Sequence, residues 1–402
     1  MRKGLQLRIY LVRLCIAFVV ATSPTVLSAQ VPSPPKKPAD QISPPPKKLG
    51  DRISPPDKPG AQMVSPPEKP AWMKSFQHFE RQLGRGSVDV ARGVHLRVDN
   101  RTSGRITVHG WDRNVIEAHA FSERGEEVVI SAQSEDDGSK AVFMRADYAN
   151  LGSSETPTQI LDAPPLGKDG PIQVHLEVNV PRYTELELIK VIRSDVEVAG
   201  VGTPITVISQ SSNITLKDVG SVEAHNRTGA IIIENAEGLA DVTSSTGLIK
   251  VANSRGAVRA VSIAGPIEIK CVKGRVDVGN TEAAIQLVGI DGDVEAIAAS
   301  SNVTFSGPLR SDGRYYMKSM SGRVEMIVPA DTRGFNAVLT SYRGKVESDF
   351  SLRPKPTSQN PDVAGHRLSG RFGNGSPQVT LDSFEGFVKL SKMASSSIVS
   401  CP

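Results

Sequence analysis

Four glycines, Gly238, Gly256, Gly274 and Gly292, stand eighteen residues apart. A step this regular restricts the chain to folds in which one short unit recurs many times. The apolar residues keep the same step. Ile231, Ile249, Ile267, Ile285 and Val303 are spaced by eighteen, and Ile214 and Val196 extend the series backwards through one shortened unit. Two residues after each comes a second apolar one: Val198, Leu216, Ile233, Val251, Ile269, Leu287 and Phe305. The residue between is usually polar, as at Glu197, Lys250 and Glu268. That is period-two alternation, the pattern of a strand with one buried face.

A second strand follows half a unit later, with Ala240 and Val242, Val258 and Ala260, Val276 and Val278, and Val294 and Ala296 pointing inward. Small residues mark the corners: Gly229, Gly247 and Gly265 before the first strand, and the 238-to-292 glycines before the second. Glycine is expected there for the backbone conformations of sharp bends. One unit cannot bury its apolar face alone, but stacked units bury a continuous core. The reading is an all-β chain, a parallel β-solenoid with about eighteen residues and two main strands per coil. A left-handed hexapeptide helix would repeat its apolar anchor every six residues, whereas the step here is nine. Handedness stays open.

Stacking also aligns the outward positions. Asp241, Arg259, Asp277 and Glu295 share one column, and Lys250 neighbours Glu268. Charge pairing on a solvated face is the simpler account, each exposed pair contributing about 0–1 kcal/mol. The alternative is a catalytic carboxylate pair, Asp277 with Glu295, on a solenoid that cleaves polysaccharide. Such a pair needs a cleft and shifted proton affinities.

The ends differ from this body. Arg2, Lys3, Arg8 and Arg13 precede an apolar run from Leu14 to Ala21 and a small-residue stretch ending at Ala29. This reads as an export signal over residues 1–29, with an uncleaved membrane anchor as the alternative. Residues 30–70 repeat Ser-Pro-Pro at 33, 43, 54 and 65. Such density of proline and charge favours an extended linker or stalk, about 120 Å long if fully stretched. Trp72, Phe76, Phe79 and Leu83 at helical spacing predict a short amphipathic capping helix over 71–86. Residues 87–190 hold longer, less periodic alternating runs, read as a β-rich sheet leading into the repeats. The repeats then occupy 191–392, before a tail over 393–402. Residues 71–402 carry 36 basic and 39 acidic residues, so no basic excess marks the body for nucleic acid. Beyond the export signal two cysteines remain, Cys271 and Cys401; a disulfide between them and two unpaired thiols are both open. Cys271 sits where sibling units have Asn235, Asn253 and Gly289, which places it at a turn.

Chemistry is sparse. The seven histidines show no metal spacing, and no phosphate-cradling loop or nucleophile elbow occurs. No catalytic residue, metal or cofactor is expected. The step stretches from eighteen to twenty-one between Val303 and Val324. The extra length brings Arg310, Asp312, Arg314, Tyr315, Tyr316 and Lys318. Aromatic and basic groups together suit sugar rings or anionic polymers. Arg310, Arg314, Tyr315, Tyr316 and Lys318 are therefore the ligand-binding candidates, against the alternative of an ordinary longer loop.

Val180-Pro181 with Glu185–Ile189, then Ser194-Asp195-Val196-Glu197-Val198, carry a resemblance. So do Thr246-Gly247-Leu248-Ile249-Lys250-Val251, Ser321-Gly322-Arg323-Val324-Glu325, Gln378–Leu381 and Glu385-Gly386-Phe387-Val388. Over about residues 90–392 the chain resembles the bacterial putative-adhesin, β-strand-repeat family of unknown function. The resemblance implies a secreted or envelope β-solenoid and supplies no catalytic set. The expected role is an exported, non-enzymatic surface, periplasmic, on the cell or extracellular, that acts as adhesin or envelope scaffold. Its expected partner is a glycan or cell-envelope polymer, with membrane contact only through an uncleaved signal. The alternatives are a polysaccharide lyase or hydrolase and an envelope-stress sensing module.

Overall fold

The computed structural model describes residues 80–393 and 401, except 101–102, 124, 126–127, 135–140, 149–165, 168–169, 172 and 354–365. The expected export signal, the proline-rich repeat and the Trp72–Phe79 part of the expected helix lie outside the described residues. What is described is all-β, with two large sheets of fifteen strands (sheet I) and fourteen strands (sheet II), mostly in parallel.

From Glu185 to Ser319 the chain alternates between the sheets, one strand in each per repeat. In sheet II, Ile231–Ala236 pairs in parallel with Ile249–Ser254, placing Ile231 opposite Ile249 and Ile233 opposite Val251. In sheet I, Ala240–Ser244 pairs with Val258–Ser262, placing Ala240 opposite Val258. Equivalent residues therefore stack without offset. Alternation does the rest: Ile249, Val251, Val258 and Ala260 are buried between the sheets while Lys250 and Arg259 face outward. Each fully buried Ile or Val side chain stabilises the fold by about 1.5–3 kcal/mol.

Before the first strand, Gly229 and Gly247 have the left-handed φ that the bends were expected to need, +101° and +111°; the column before the second strand has a different cause. Gly238, Gly256, Gly274 and Gly292 have no left-handed φ. Instead a Cβ on Gly256 would lie 2.0 Å from the carbonyl oxygen of Gly238, and one on Gly292 2.0 Å from that of Gly274. Glycine stands there because stacked corners bring backbone against backbone. A further left-handed column lies at the next corner: Asp218, Asn235, Asn253, Cys271 and Gly289 have φ of +52° to +65°. Asn and Asp tolerate that region better than other side chains. Here they also form a ladder, Asn235 Nδ2 donating to Asp218 Oδ1 at 2.8 Å and Asn253 Nδ2 to Asn235 Oδ1 at 3.3 Å.

A third column closes several of the corners at the ends of the sheet I strands. Ser319 Oγ accepts from the Gly322 N–H at 2.8 Å and donates to the Ser301 carbonyl at 2.8 Å. Ser383 and Ser341 repeat both bonds, to Gly386 N–H and Gly322 O, and to Gly344 N–H and Gly386 O. Asn280 does the same with its amide. A buried side chain thus satisfies the turn of its own repeat and a carbonyl of the preceding one in the stack.

The segment before the repeats is not a separate sheet. His95–Asn100 and Ser103–Trp111 extend sheets I and II in parallel. Beyond them lie Ala141–Tyr148 and Gln173–Pro181, still parallel. Antiparallel strands then finish the stack: Val128–Ser134 and Glu80–Leu83 in sheet I, Val115–Ser122 and Arg85–Asp89 in sheet II. This corrects the capping helix expected over 71–86. Residues 80–83 and 85–89 are strands, because the open backbone edge of a sheet is satisfied by another strand's ladder.

The far end departs from sequence order. After Val324–Pro329 the chain forms Gly334–Ser341, Val346–Ser348 and Arg367–Gly373. Its last two strands then return inside them. Gln378–Ser383 inserts between Arg314–Ser319 and Gly334–Ser341. Val388–Met393 inserts between Val324–Pro329 and Val346–Ser348. Arg367–Gly373 closes the edge in the antiparallel sense. Beyond them Cys401 forms a disulfide with Cys271, across 130 residues of sequence.

Two predictions follow from this packing. Gly256→Ala will lower the unfolding free energy by about 1–3 kcal/mol, the cost of overpacking. Gly202→Ala, whose nearest neighbour would be 3.7 Å away and whose φ is not left-handed, will leave it unchanged or slightly raised. Denaturant midpoints measure both. Cys401→Ser and Cys271→Ser will each cost about 2–5 kcal/mol, and the double variant will be no less stable than either single one.

Candidate functional site

The strand Arg314–Ser319 keeps its columns in spite of the longer step. Tyr315 pairs with Val294 and Tyr316 with Glu295, so the three extra residues are absorbed in the preceding loop. Parity then separates the five sequence candidates. Tyr315 falls in the inward column of Val276 and Val294 and is 1% exposed. Its ring packs edge-on against Phe305 at 5.2 Å, and its hydroxyl accepts the Arg310 N–H at 2.8 Å. Burial pushes this phenol above its usual range, with the Arg310 N–H opposing. Tyr315 is a core residue, and its ring has no face to offer a ligand.

Arg310 occupies a second environment. Its guanidinium pairs with Asp312 at 2.7 Å. It lines a surface cleft of about 360 Å³ with Lys273, Asp291, Leu309 and the Cys271–Cys401 disulfide.

Arg314, Tyr316 and Lys318 share the third environment, the outer face of sheet I. The inserted strands give them neighbours that sequence order conceals. Across four adjacent strands, Arg314 aligns with Gln378, Asn336 and Arg371. Tyr316 aligns with Thr380, Val338 and Ser369, and Lys318 with Asp382, Thr340 and Arg367. On the Arg314–Ser319, Gln378–Ser383 and Gly334–Ser341 strands these positions alternate with buried neighbours. The patch holds four cations, Arg314, Lys318, Arg367 and Arg371, around one carboxylate, Asp382.

Burial raises the Asp382 carboxyl above the usual carboxylate range, against the opposing pull of Lys318, Arg367 and the Thr340 hydroxyl. Arg367 Nη1 also donates to Thr340 Oγ1 at 3.4 Å. Its Nε is buried and has no hydrogen-bond partner among the described residues. An ordinary solvated face would hydrate both groups fully; this one does not.

The acid pair considered for catalysis has another arrangement. Arg275 lies between Asp277, at 2.8 Å, and Glu295, at 3.1 Å. The Asp277 hydrogen bond raises the guanidinium's proton affinity. Arg259 stands 3.8 Å from Asp241 in the same column. Arg275–Asp277 lies within one repeat, while Arg275–Glu295 and Arg259–Asp241 are cross-repeat ion pairs. Among the described residues no group of three or more His, Cys, Asp or Glu is placed to hold a metal.

Comparison with known proteins adds little. No protein-family model matches the chain, and no curated protein matches it. Among solved structures, one likeness is to a putative cell adhesion protein from Clostridium sporogenes. It has 10% identity and a TM-score of 0.20, and covers 78% of this chain and 100% of that one. At that distance the likeness says nothing of what this chain binds.

Arg367, Arg371 and Asp382 went unnoticed in the sequence because they lie 49 to 68 residues from Lys318 and Arg314 along the chain, outside the eighteen-residue step. The raised Asp382 carboxyl has a testable sign. Its folded form holds the proton more tightly than the unfolded chain, so its contribution to stability is present at acid pH and is lost as pH rises through the folded value. Asp382→Asn will therefore match the wild type near pH 3 and become progressively more stable than it towards pH 7, in thermal midpoints measured across that range.

Proposed function

We propose that this protein is an exported, non-enzymatic parallel β-solenoid whose outer wall binds an anionic cell-envelope polymer or acidic glycan, in the manner of an adhesin or envelope scaffold. The observation that carries the reading is the patch of four cations and Tyr316 around a single carboxylate. A body carrying 36 basic and 39 acidic residues has no general excess of positive charge. Concentrating a net charge of about three on twelve positions makes a local field that attracts polyanions. The rows supply a planar ring, hydroxyls and guanidinium forks suited to carboxylate or phosphate groups. The unpartnered Arg367 Nε supports the same reading, since a buried donor is costly until something accepts from it.

The solenoid winding is supported by strand alternation between the sheets and by zero-offset pairing over successive eighteen-residue steps. Export is supported by the basic and apolar character of residues 1–29. The surface or periplasmic setting and the family resemblance belong to this same reading.

The test uses the secreted protein with alginate as acidic polymer and dextran as neutral control. Alginate should bind with an affinity that falls as salt rises, and dextran should not bind. Arg367→Ala with Lys318→Ala should weaken alginate binding about tenfold, the equivalent of about 1.4 kcal/mol. Equal binding of both polymers, or of neither, overturns the reading. Shortening of the alginate chains, abolished by Asp277→Ala, would replace it with the lyase or hydrolase.

A further inference from the structure

The basic patch does not end at Lys318. Continuing each strand by two residues reaches the next outward position, at the corner just past Ser319, Ser383 and Ser341. In sibling repeats this corner column holds Ser245, Ile263, Thr281 and Ala299. In the last three parallel strands of sheet I it holds Met320, Phe384 and Tyr342, which lie side by side through the Phe384 N–H to Ser319 O and Tyr342 N–H to Ser383 O bonds. The Tyr342 and Phe384 rings are 5.0 Å apart and 5° from parallel. Tyr342 is 69% exposed and Phe384 38%.

Neither ring is needed by the core, because the inward positions here are already filled by Leu339 and Leu381. The pair has a polar margin. Arg343 pairs with Glu385 at 2.7 Å and lies over the Phe384 ring at 5.4 Å. An exposed flat aromatic face bordered by a fixed donor and acceptor suits the C–H face of a sugar ring, with hydroxyls meeting Arg343 and Glu385. The charged row of Lys318, Asp382, Thr340 and Arg367 lies only two residues back along the same face, about 6.6 Å at strand geometry.

We infer that Tyr342 and Phe384 form a sugar-stacking subsite next to the cationic patch. One chain of an acidic polysaccharide would place its acid groups on Lys318 and Arg367 and a ring on Tyr342. The inference rests on the proposed function and narrows it, from polyanions in general to acidic saccharides. Continuity with the patch and its charge select this occupant over a neutral polymer. The aromatic face selects it over a polyanion that lacks rings.

The experiment compares two probes, alginate and inorganic polyphosphate, by calorimetry on the secreted protein. Tyr342→Ala should weaken alginate at least tenfold and leave polyphosphate unchanged, while Tyr342→Trp retains alginate binding. Lys318→Ala should weaken both. Should Tyr342→Ala prove unfolded by circular dichroism, Arg343→Met carries the same comparison. If both probes bind through the cations and the Tyr342 variant discriminates neither, the subsite is wrong and the polyanion reading stands. If neither probe binds, the polyanion reading has failed and the subsite with it. A monomer–dimer equilibrium removed by Tyr342→Ala, with alginate binding unaffected, would assign the rings to a second copy of the chain and overturn the inference.

Discussion

Zero-offset parallel pairing is the constraint on which every other feature depends. When Ile231 stands against Ile249, Ile249 against Ile267 and Ile267 against Ile285, any residue type suited to one position is suited to the whole column. The reverse also holds. A slip of one residue in a single strand would turn its apolar set to solvent and break the hydrogen-bonded corner above and below. The register is held at both levels, by buried Val and Ile between the sheets and by serine, asparagine and glycine at the corners.

The corners explain why the repeat tolerates so little. Gly256 lies under the Gly238 carbonyl with no room for a methyl group, whereas Ser319 reaches from one turn to the next. Close backbone approach and side-chain bridging are complementary ways of satisfying a bend. Cys271 shows how such a position can be reused. It keeps the left-handed conformation of Asn253 and Asn235 and turns its side chain to a covalent bond with Cys401.

Much of this was legible in the sequence for a physical reason: the stack is local. Each strand meets the strand one step away, so spacing reveals partners, inward columns and the turn position of Cys271. Where contacts stop being local, the reading fails. The fragment at 80–89 carries helical spacing through Leu83, yet it forms strands, since the parallel stack ends on an edge that needs backbone partners. Tyr315 was grouped with its neighbours by proximity in sequence, although strand parity sends it to Phe305 and away from Tyr316. The Cys271–Cys401 pairing had no spacing signal, because the tail returns to a repeat far upstream.

The inserted final strands connect the architecture to its proposed role. If the chain had simply continued, Arg314–Ser319 would lie beside Gly334–Ser341. Asp382 would not stand between Lys318 and Thr340, nor Phe384 between Met320 and Tyr342. Insertion places strands from three separate stretches of sequence side by side while keeping the inward columns continuous from Met317 through Leu381 to Leu339. The core therefore continues the repeat while the outer face acquires a composition the repeat does not have. A column that must pack is held to buried, mostly apolar side chains, but its outward neighbour is constrained only by the strand beside it. Cations and aromatic rings can collect there at little cost to folding, which is why the candidate site lies where the order of strands breaks and the order of the core does not.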